Sequence, residues 1–180
     1  MKKVIILLLI IGIGILTLTS CEDCTEIYKT TGMNVRPVND SLKAAVDTNA
    51  TVSYENLYFS IVFDYDFEHF CEGLSTETQF SSTIESFIIT SNQEYNSNFP
   101  AGVPLNDIID ISYSEMGGFG FEEPLPLDEY LEDVSNCQPY MKLYVTEPPD
   151  TTTAHRFTLS YAEENGQNYQ FTTHPFYITP

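Results

Sequence analysis

The segment from Tyr54 to Phe67 alternates apolar and polar side chains, and this alternation is the strongest constraint on the fold. Successive side chains of a β-strand point to opposite faces of the sheet, so the pattern predicts one long strand with a buried face and a solvated face. The predicted buried face consists of Leu57, Phe59, Ile61, Phe63, Tyr65 and Phe67. Sheets with one solvated face are typically antiparallel, and we therefore expect antiparallel pairing.

Shorter alternating runs predict further strands at 25–38, 83–91, 107–113, 140–146, 155–162 and 169–178. The last two runs are separated by Glu164-Asn165-Gly166-Gln167, which has the composition of a hairpin turn. Apolar residues recur at helical spacing across 127–134, so one short helix is expected there. The sequence therefore predicts an all-β fold, an antiparallel immunoglobulin-like β-sandwich with one short helix, with a β-barrel as the alternative.

The N-terminus has the pattern of a secretory signal. Lys2 and Lys3 precede the uncharged apolar run Val4–Leu18. At ~1.5 Å per residue a helix over this run covers about 22 Å, which is short of a ~30 Å hydrocarbon core. We therefore expect a cleaved signal rather than a permanent transmembrane helix.

The end of the apolar run, Leu18-Thr19-Ser20-Cys21, resembles the lipobox of bacterial lipoproteins. The resemblance implies cleavage before Cys21 and attachment of diacylglycerol and a further acyl chain, such as palmitate, to Cys21. It also implies a cell-envelope location, anchored in the outer membrane on its periplasmic or surface face. The expected organisation is a signal peptide at 1–20, a lipidated tether at 21–25 and a β-sandwich domain at 26–180.

Two further segments, the turn region 99–107 and the leucine-rich region 125–131, resemble segments of uncharacterised envelope lipoproteins. That resemblance implies a sandwich fold and assigns no site residue.

Three cysteines remain once Cys21 is assigned to the lipid. If the first strand pairs antiparallel with the Tyr54–Phe67 strand, Cys24 lies near Cys71, and we predict a disulfide between them; a Cys71–Cys137 bond is the alternative. A redox or zinc role for the Cys21/Cys24 pair is disfavoured. Redox pairs of this spacing need a following helix, and zinc needs two more ligands at suitable spacing.

The chain is strongly acidic, with 26 Asp and Glu against 7 Lys and Arg. Loss of the signal removes Lys2 and Lys3, which leaves 5 basic residues and a formal charge of −21. Nucleic acids and anionic lipid surfaces both require cations on the protein. The composition therefore excludes a nucleic-acid partner.

Asp64, Asp66 and Glu68 fall on the solvated face of the clearest strand and are weak candidates for a calcium site. Their spacing resembles the start of an EF-hand loop. However, His69 occupies the position that requires glycine, and Ser75 occupies that of the final glutamate. We expect a solvated acidic face, with no metal and no cofactor.

Catalytic motifs such as G-x-S-x-G and H-E-x-x-H are absent from the sequence. His69 and His155 border predicted strands, and His174 precedes Pro175; all three are expected to be structural. We therefore expect no enzymatic activity, and a module that binds a protein or a glycan or serves an accessory role in the envelope. The alternative is a calcium-assisted carbohydrate-binding surface lipoprotein, whose candidate aromatic residues are Tyr113, Phe119 and Phe121.

Overall fold

The computed structural model describes residues 24–69, 76–114, 120–133 and 138–180. The signal peptide, Cys21, Cys71, Cys137 and Phe119 lie outside the described residues, so the predictions that concern them stay predictions. Only the backbone of Cys24 is described, at the start of the first strand. Within the described ranges, no helix is long and apolar enough to cross a membrane.

The described chain consists of β-strands, two short 3₁₀ turns (Tyr54–Asn56 and Asn106–Ile108) and one short α-helix. The elements are β1 (Cys24–Asn39), β2 (Ala44–Ala45), β3 (Thr51–Ser53), β4 (Leu57–His69), β5 (Thr76–Phe80), β6 (Ile84–Ser91), β7 (Ile109–Ser114), β8 (Leu125–Pro126), α1 (Leu127–Asp133), β9 (Tyr140–Val145), β10 (Thr153–His155), β11 (Phe157–Glu163), β12 (Asn168–Thr172) and β13 (Phe176–Thr179).

The strands form one large sheet and two small ones. The seven-stranded sheet has the order β2-β1-β4-β9-β7-β8, with β5 beside β1, and the three-stranded sheets have the orders β10-β13-β3 and β12-β11-β6. Antiparallel pairs predominate, while the β1–β5 and β3–β13 pairs are parallel. The prediction of an all-β fold of antiparallel sheets with one short helix is confirmed.

Contacts divide the chain into two compact units. The smaller unit contains the described residues up to Lys29 together with Asp66–Ser81. Within it, β5 runs parallel to the start of β1, and the ring of Tyr28 lies 6.2 Å from the ring of Phe80. The larger unit contains Thr30–Tyr65 and Ser82–Pro180, and it holds the site described below.

The core of the larger unit joins the three sheets face to face, as in a sandwich. The Phe59 ring of the large sheet lies 5.0 Å from the Phe157 ring and 6.5 Å from the Phe176 ring, each from a different small sheet. All three rings are fully buried. Burial of one such side chain contributes about 1.5–3 kcal/mol, so aromatic packing is a main source of the cohesion between the sheets.

The strand predicted at 169–178 is wrong as one element, because the chain changes sheet in the middle of it. β12 pairs with β11, whereas β13 pairs with β10 and β3. Between them the hydroxyl of Thr173 accepts a hydrogen bond from the Phe157 amide at 3.0 Å. Pro175 follows and has no N–H to donate to a ladder. The chain therefore leaves the first sheet after Thr172.

Candidate binding groove

The β12-β11-β6 sheet has one core face and one outer face. β11 alternates buried and half-buried residues along its whole length. Phe157, Leu159 and Tyr161 are buried, so Thr158, Ser160 and Ala162 face outward. The neighbouring strands also place uncharged side chains on this outer face, among them Ile88 of β6 and Gln170 of β12.

A cavity of about 330 Å³ opens on this outer face. We call it the sheet groove. It is lined by Ser86, Ile88, Ser160, Tyr161, Ala162, Asn168, Tyr169 and Gln170. Strand register explains the grouping: Ser160 stands between Ile88 and Gln170, and Ala162 stands between Ser86 and Asn168. The β6–β11 ladder also shifts register between Ala162 and Glu163. Such an irregularity increases local twist and bends the sheet beside the groove.

The sheet groove presents hydroxyl and amide groups around an apolar patch. Ser and Asn or Gln side chains both donate and accept hydrogen bonds. Within the groove, Gln170 Nε2 donates to Ser160 Oγ at 3.1 Å. Ile88 is 38% exposed beside them. None of the described lining residues is charged, although the chain has 26 acidic residues.

The floor of the groove is the sheet itself, and two tyrosines stack beneath it on the core face. The rings of Tyr161 and Tyr169 lie 5.9 Å apart. The Tyr161 hydroxyl donates to Glu163 Oε1 at 3.1 Å, and the Tyr169 hydroxyl donates to the Thr30 carbonyl at 2.6 Å. Glu163 is buried and also accepts a bond from Asn165 Nδ2 at 2.8 Å. The floor is therefore preformed rather than assembled by a ligand.

A second exposed feature lies on the outer face of the large sheet. We call it the tyrosine face: Tyr58, Tyr140 and Tyr144 with Lys142 and Phe121. The rings of Tyr58 and Tyr144 lie 5.7 Å apart, and Lys142 Nζ lies 3.8 Å from the centre of the Phe121 ring. Burial, followed by the charge of Asp40, raises the pKa of the Tyr144 hydroxyl above its ordinary value.

Of the aromatic residues proposed from the sequence, the two that the structure describes, Tyr113 and Phe121, do not form one surface. Tyr113 packs against the core, and its ring lies 5.2 Å from the ring of Tyr130. Phe121 is 44% exposed and covers Lys142. Phe119 lies outside the described residues.

The weak calcium candidates are exposed residues of β4. Asp64 Oδ2 already accepts a hydrogen bond from Asn34 Nδ2 at 2.8 Å. Among the residues that the structure describes, no group of three or more His, Cys, Asp and Glu side chains is arranged to hold a metal ion.

His155 is fully buried and is placed as a structural residue. Its Nδ1 lies 2.9 Å from Ser91 Oγ, and its ring packs between Tyr95 and Phe157. Burial lowers the pKa of His155 to about 4, so the ring is neutral at physiological pH. Ser91 is also buried, so this Ser–His pair has no access to a substrate. His174 Nε2 lies 2.8 Å from the Val46 carbonyl, and the His69 side chain lies outside the described residues.

Sequence reasoning did not single out the groove residues. A usable signal existed in the predicted hairpin, because a turn at Glu164–Gln167 places Ser160 opposite Gln170. The third strand, β6, could not be assigned in this way because it lies about seventy residues earlier in the chain.

Comparison with known proteins leaves the family of this chain open. No family model matches the sequence, and no curated protein is significantly similar to it. A DUF4466 family protein from Parabacteroides merdae aligns with a TM-score of 0.43 and 12% identity over 83% of this chain and 45% of that protein. The major pilin subunit of Bacillus cereus aligns with a TM-score of 0.19 and 9% identity over 88% of this chain and 69% of that one. This chain thus spans less than half of the Parabacteroides protein, and neither likeness supports a functional argument.

Proposed function

We propose that this protein is a lipid-anchored protein of the bacterial cell envelope, whose β-sandwich is a non-catalytic binding module. The observation that carries the anchor is Leu18-Thr19-Ser20-Cys21 directly after an uncharged apolar run. Each buried methylene contributes ~0.8 kcal/mol, so two or more acyl chains on Cys21 hold a protein stably at a membrane. The short predicted tether, 21–25, keeps the module close to that membrane.

The sheet groove supports the binding part of the proposal. The groove is concave, its floor is fixed, and its lining combines apolar side chains with hydroxyl and amide groups. Small-molecule binding sites commonly share these properties. The groove lies on an outer sheet face, whereas the Ser91–His155 pair is buried in the core. The described residues that line the groove include no histidine or carboxylate that could serve as a general base. Binding without chemistry is the role that these groups fit best.

We do not propose the calcium-assisted form of carbohydrate binding. It would need a set of oxygen ligands around one ion, and calcium takes 6–8 of them. The Asp64 carboxylate is instead bonded to Asn34.

The anchor is tested by metabolic labelling of bacteria that express the full chain with an alkyne analogue of palmitate. We expect label on the wild-type protein in the membrane fraction, and loss of both label and membrane association in Cys21→Ser. The matched control is Cys24→Ser, which removes a neighbouring thiol and should keep the label. An unlabelled wild-type chain, or label that persists in Cys21→Ser, would contradict the proposal.

A further inference from the structure

We propose that the sheet groove binds an uncharged carbohydrate. In this arrangement a sugar ring lies over Ile88 and Ala162, and its hydroxyls bond to Ser86, Ser160, Asn168 and Gln170. The inference names the ligand of the binding module proposed above and rests on that binding function, but it does not depend on the lipid anchor.

The size of the groove suits a small ligand of one or two sugar rings. Small-molecule sites commonly enclose about 300–1,000 Å³, and the groove encloses about 330 Å³.

The charge of the chain and of the groove lining favours a neutral ligand over an anion or a cation. An anion would meet a chain with a net charge of −19, and the described lining offers it no lysine or arginine. A cation would find no carboxylate among the same residues. A neutral ligand rich in hydroxyl groups matches the lining, since a sugar hydroxyl both donates and accepts hydrogen bonds, as serine hydroxyls do.

The apolar patch of the groove would contact the same ligand. Ile88 is 38% exposed in the middle of polar neighbours, and Ala162 lies on the adjacent strand. A pyranose ring has a C–H face with little polarity and a rim of hydroxyls. Such a ring would cover Ile88 while its rim reaches Ser160 and Gln170, which flank each other across the β11–β12 ladder.

A peptide ligand fits this location less well. An extended peptide gains most of its affinity from backbone hydrogen bonds to a free strand edge. The groove lies instead on a sheet face, where the backbone groups of β11 are paired on both sides by β6 and β12.

The test uses the full chain in a zwitterionic detergent that contains no sugar. The protein is applied to an array of neutral and acidic oligosaccharides, and the Kd of each neutral hit is measured by calorimetry. Gln170→Glu keeps the shape of the side chain and adds a charge to the groove, and we expect at least tenfold weaker binding. Ile88→Ser should also weaken binding severalfold. Gln93→Glu adds the same charge at an exposed position outside the groove and should leave Kd unchanged within twofold.

Melting curves of all variants accompany the binding data, so that lost binding is not confused with unfolding. The proposal is overturned by an array that shows only acidic glycans, by no neutral glycan binding at millimolar concentration, or by neutral binding that Gln170→Glu leaves intact. If the array is blank but a protein partner is bound and lost in Gln170→Glu, the carbohydrate inference fails and the binding module stands. Failure of the palmitate experiment, by contrast, removes only the anchor.

Discussion

Nδ1 of His155 lies 2.9 Å from Oγ of Ser91 inside the core of the larger unit, with both residues shielded from water. The other ring nitrogen, Nε2, has no hydrogen-bond partner among the described residues. A protonated imidazole there would lose its hydration without gaining a charged partner, and this is why burial lowers the pKa of His155 to about 4.

The first prediction is that this histidine makes the protein less stable in mild acid. Unfolded histidine titrates near pH 6.5, so between pH 6.5 and 4 the unfolded chain binds a proton that the folded chain does not. The free energy of unfolding should therefore fall across this window, by on the order of 3 kcal/mol from His155 alone. Urea titrations of wild type and His155→Leu at pH 7 and pH 4 measure it. The carboxylates titrate in both proteins and cancel in the comparison.

His174→Leu serves as the control for that experiment, because it removes a half-buried histidine from the same unit. The loss of stability in acid that depends on His155 should still be present in this variant. Equal losses of stability in wild type and His155→Leu would show that the buried imidazole does not contribute.

The second prediction concerns the aromatic contacts that join the sheets. Phe157 is fully buried, and its ring centre lies 5.0 Å from that of Phe59 and 5.7 Å from that of Phe176. Phe157→Ala should lower the free energy of unfolding by about 3–5 kcal/mol, since it removes the ring and leaves a cavity. Phe121→Ala, at an exposed ring, should cost less than about 1 kcal/mol. Chemical denaturation monitored by circular dichroism distinguishes the two, and similar losses would refute the assigned core.

The third prediction concerns the positive φ of Gly166 in the hairpin beside the groove. Gly166 has φ = +84°, and a Cβ added there meets nothing within 4 Å. Gly166→Ala should therefore destabilise the protein by about 1–2 kcal/mol through backbone conformation alone. Gly120 is equally open but lacks a positive φ, so Gly120→Ala should be neutral or slightly stabilising. Thermal melts of both variants check this, and an unchanged Tm in Gly166→Ala would argue against the turn.

The fourth prediction is the Cys24–Cys71 disulfide expected from the sequence. Proteolysis of protein purified without reductant, followed by mass spectrometry, should recover peptides containing Cys24 and Cys71 as one linked species. A Cys71–Cys137 species would support the alternative pairing. Recovery of Cys24 in an alkylated, unlinked peptide would exclude the bond.

Strand content could be predicted because alternation is a local property. The β4 pattern predicted burial of Leu57 through Phe63, and these inward residues are buried. Phe67 keeps the same alternation but is 64% exposed, and its ring lies 6.2 Å from that of Tyr28 in the smaller unit. Alternation therefore gives the direction of a side chain, whereas burial also requires a neighbouring layer.

The break between β12 and β13 is visible in the sequence as a change of phase in the alternation. Tyr169 and Phe171 occupy odd positions, whereas the buried Phe176 and Ile178 occupy even ones. A strand cannot change this phase without an interruption, so the shift predicts two elements. β5 and its parallel pairing with β1 were not predicted, because Thr76–Phe80 has little apolar alternation.

The candidate groove was only partly accessible from sequence. The hairpin fixes the β11–β12 register and thereby six of the eight described lining residues. The contribution of Ser86 and Ile88, and the register shift at Ala162, depend on the pairing of β6 with a strand about seventy residues later in the chain. Such long-range pairing is determined by tertiary packing and cannot be predicted from a local sequence pattern.

The buried carboxylate of Glu163 has a consequence for how this groove can diversify. It accepts hydrogen bonds both from Tyr161, which packs beneath the groove floor on the core face, and from Asn165, in the hairpin turn. Turn and floor are therefore mechanically connected through one side chain. Substitutions at Asn165 could alter which ligands the groove accepts without any contact between the turn and the ligand, so related sequences can acquire new selectivity while the lining itself stays the same.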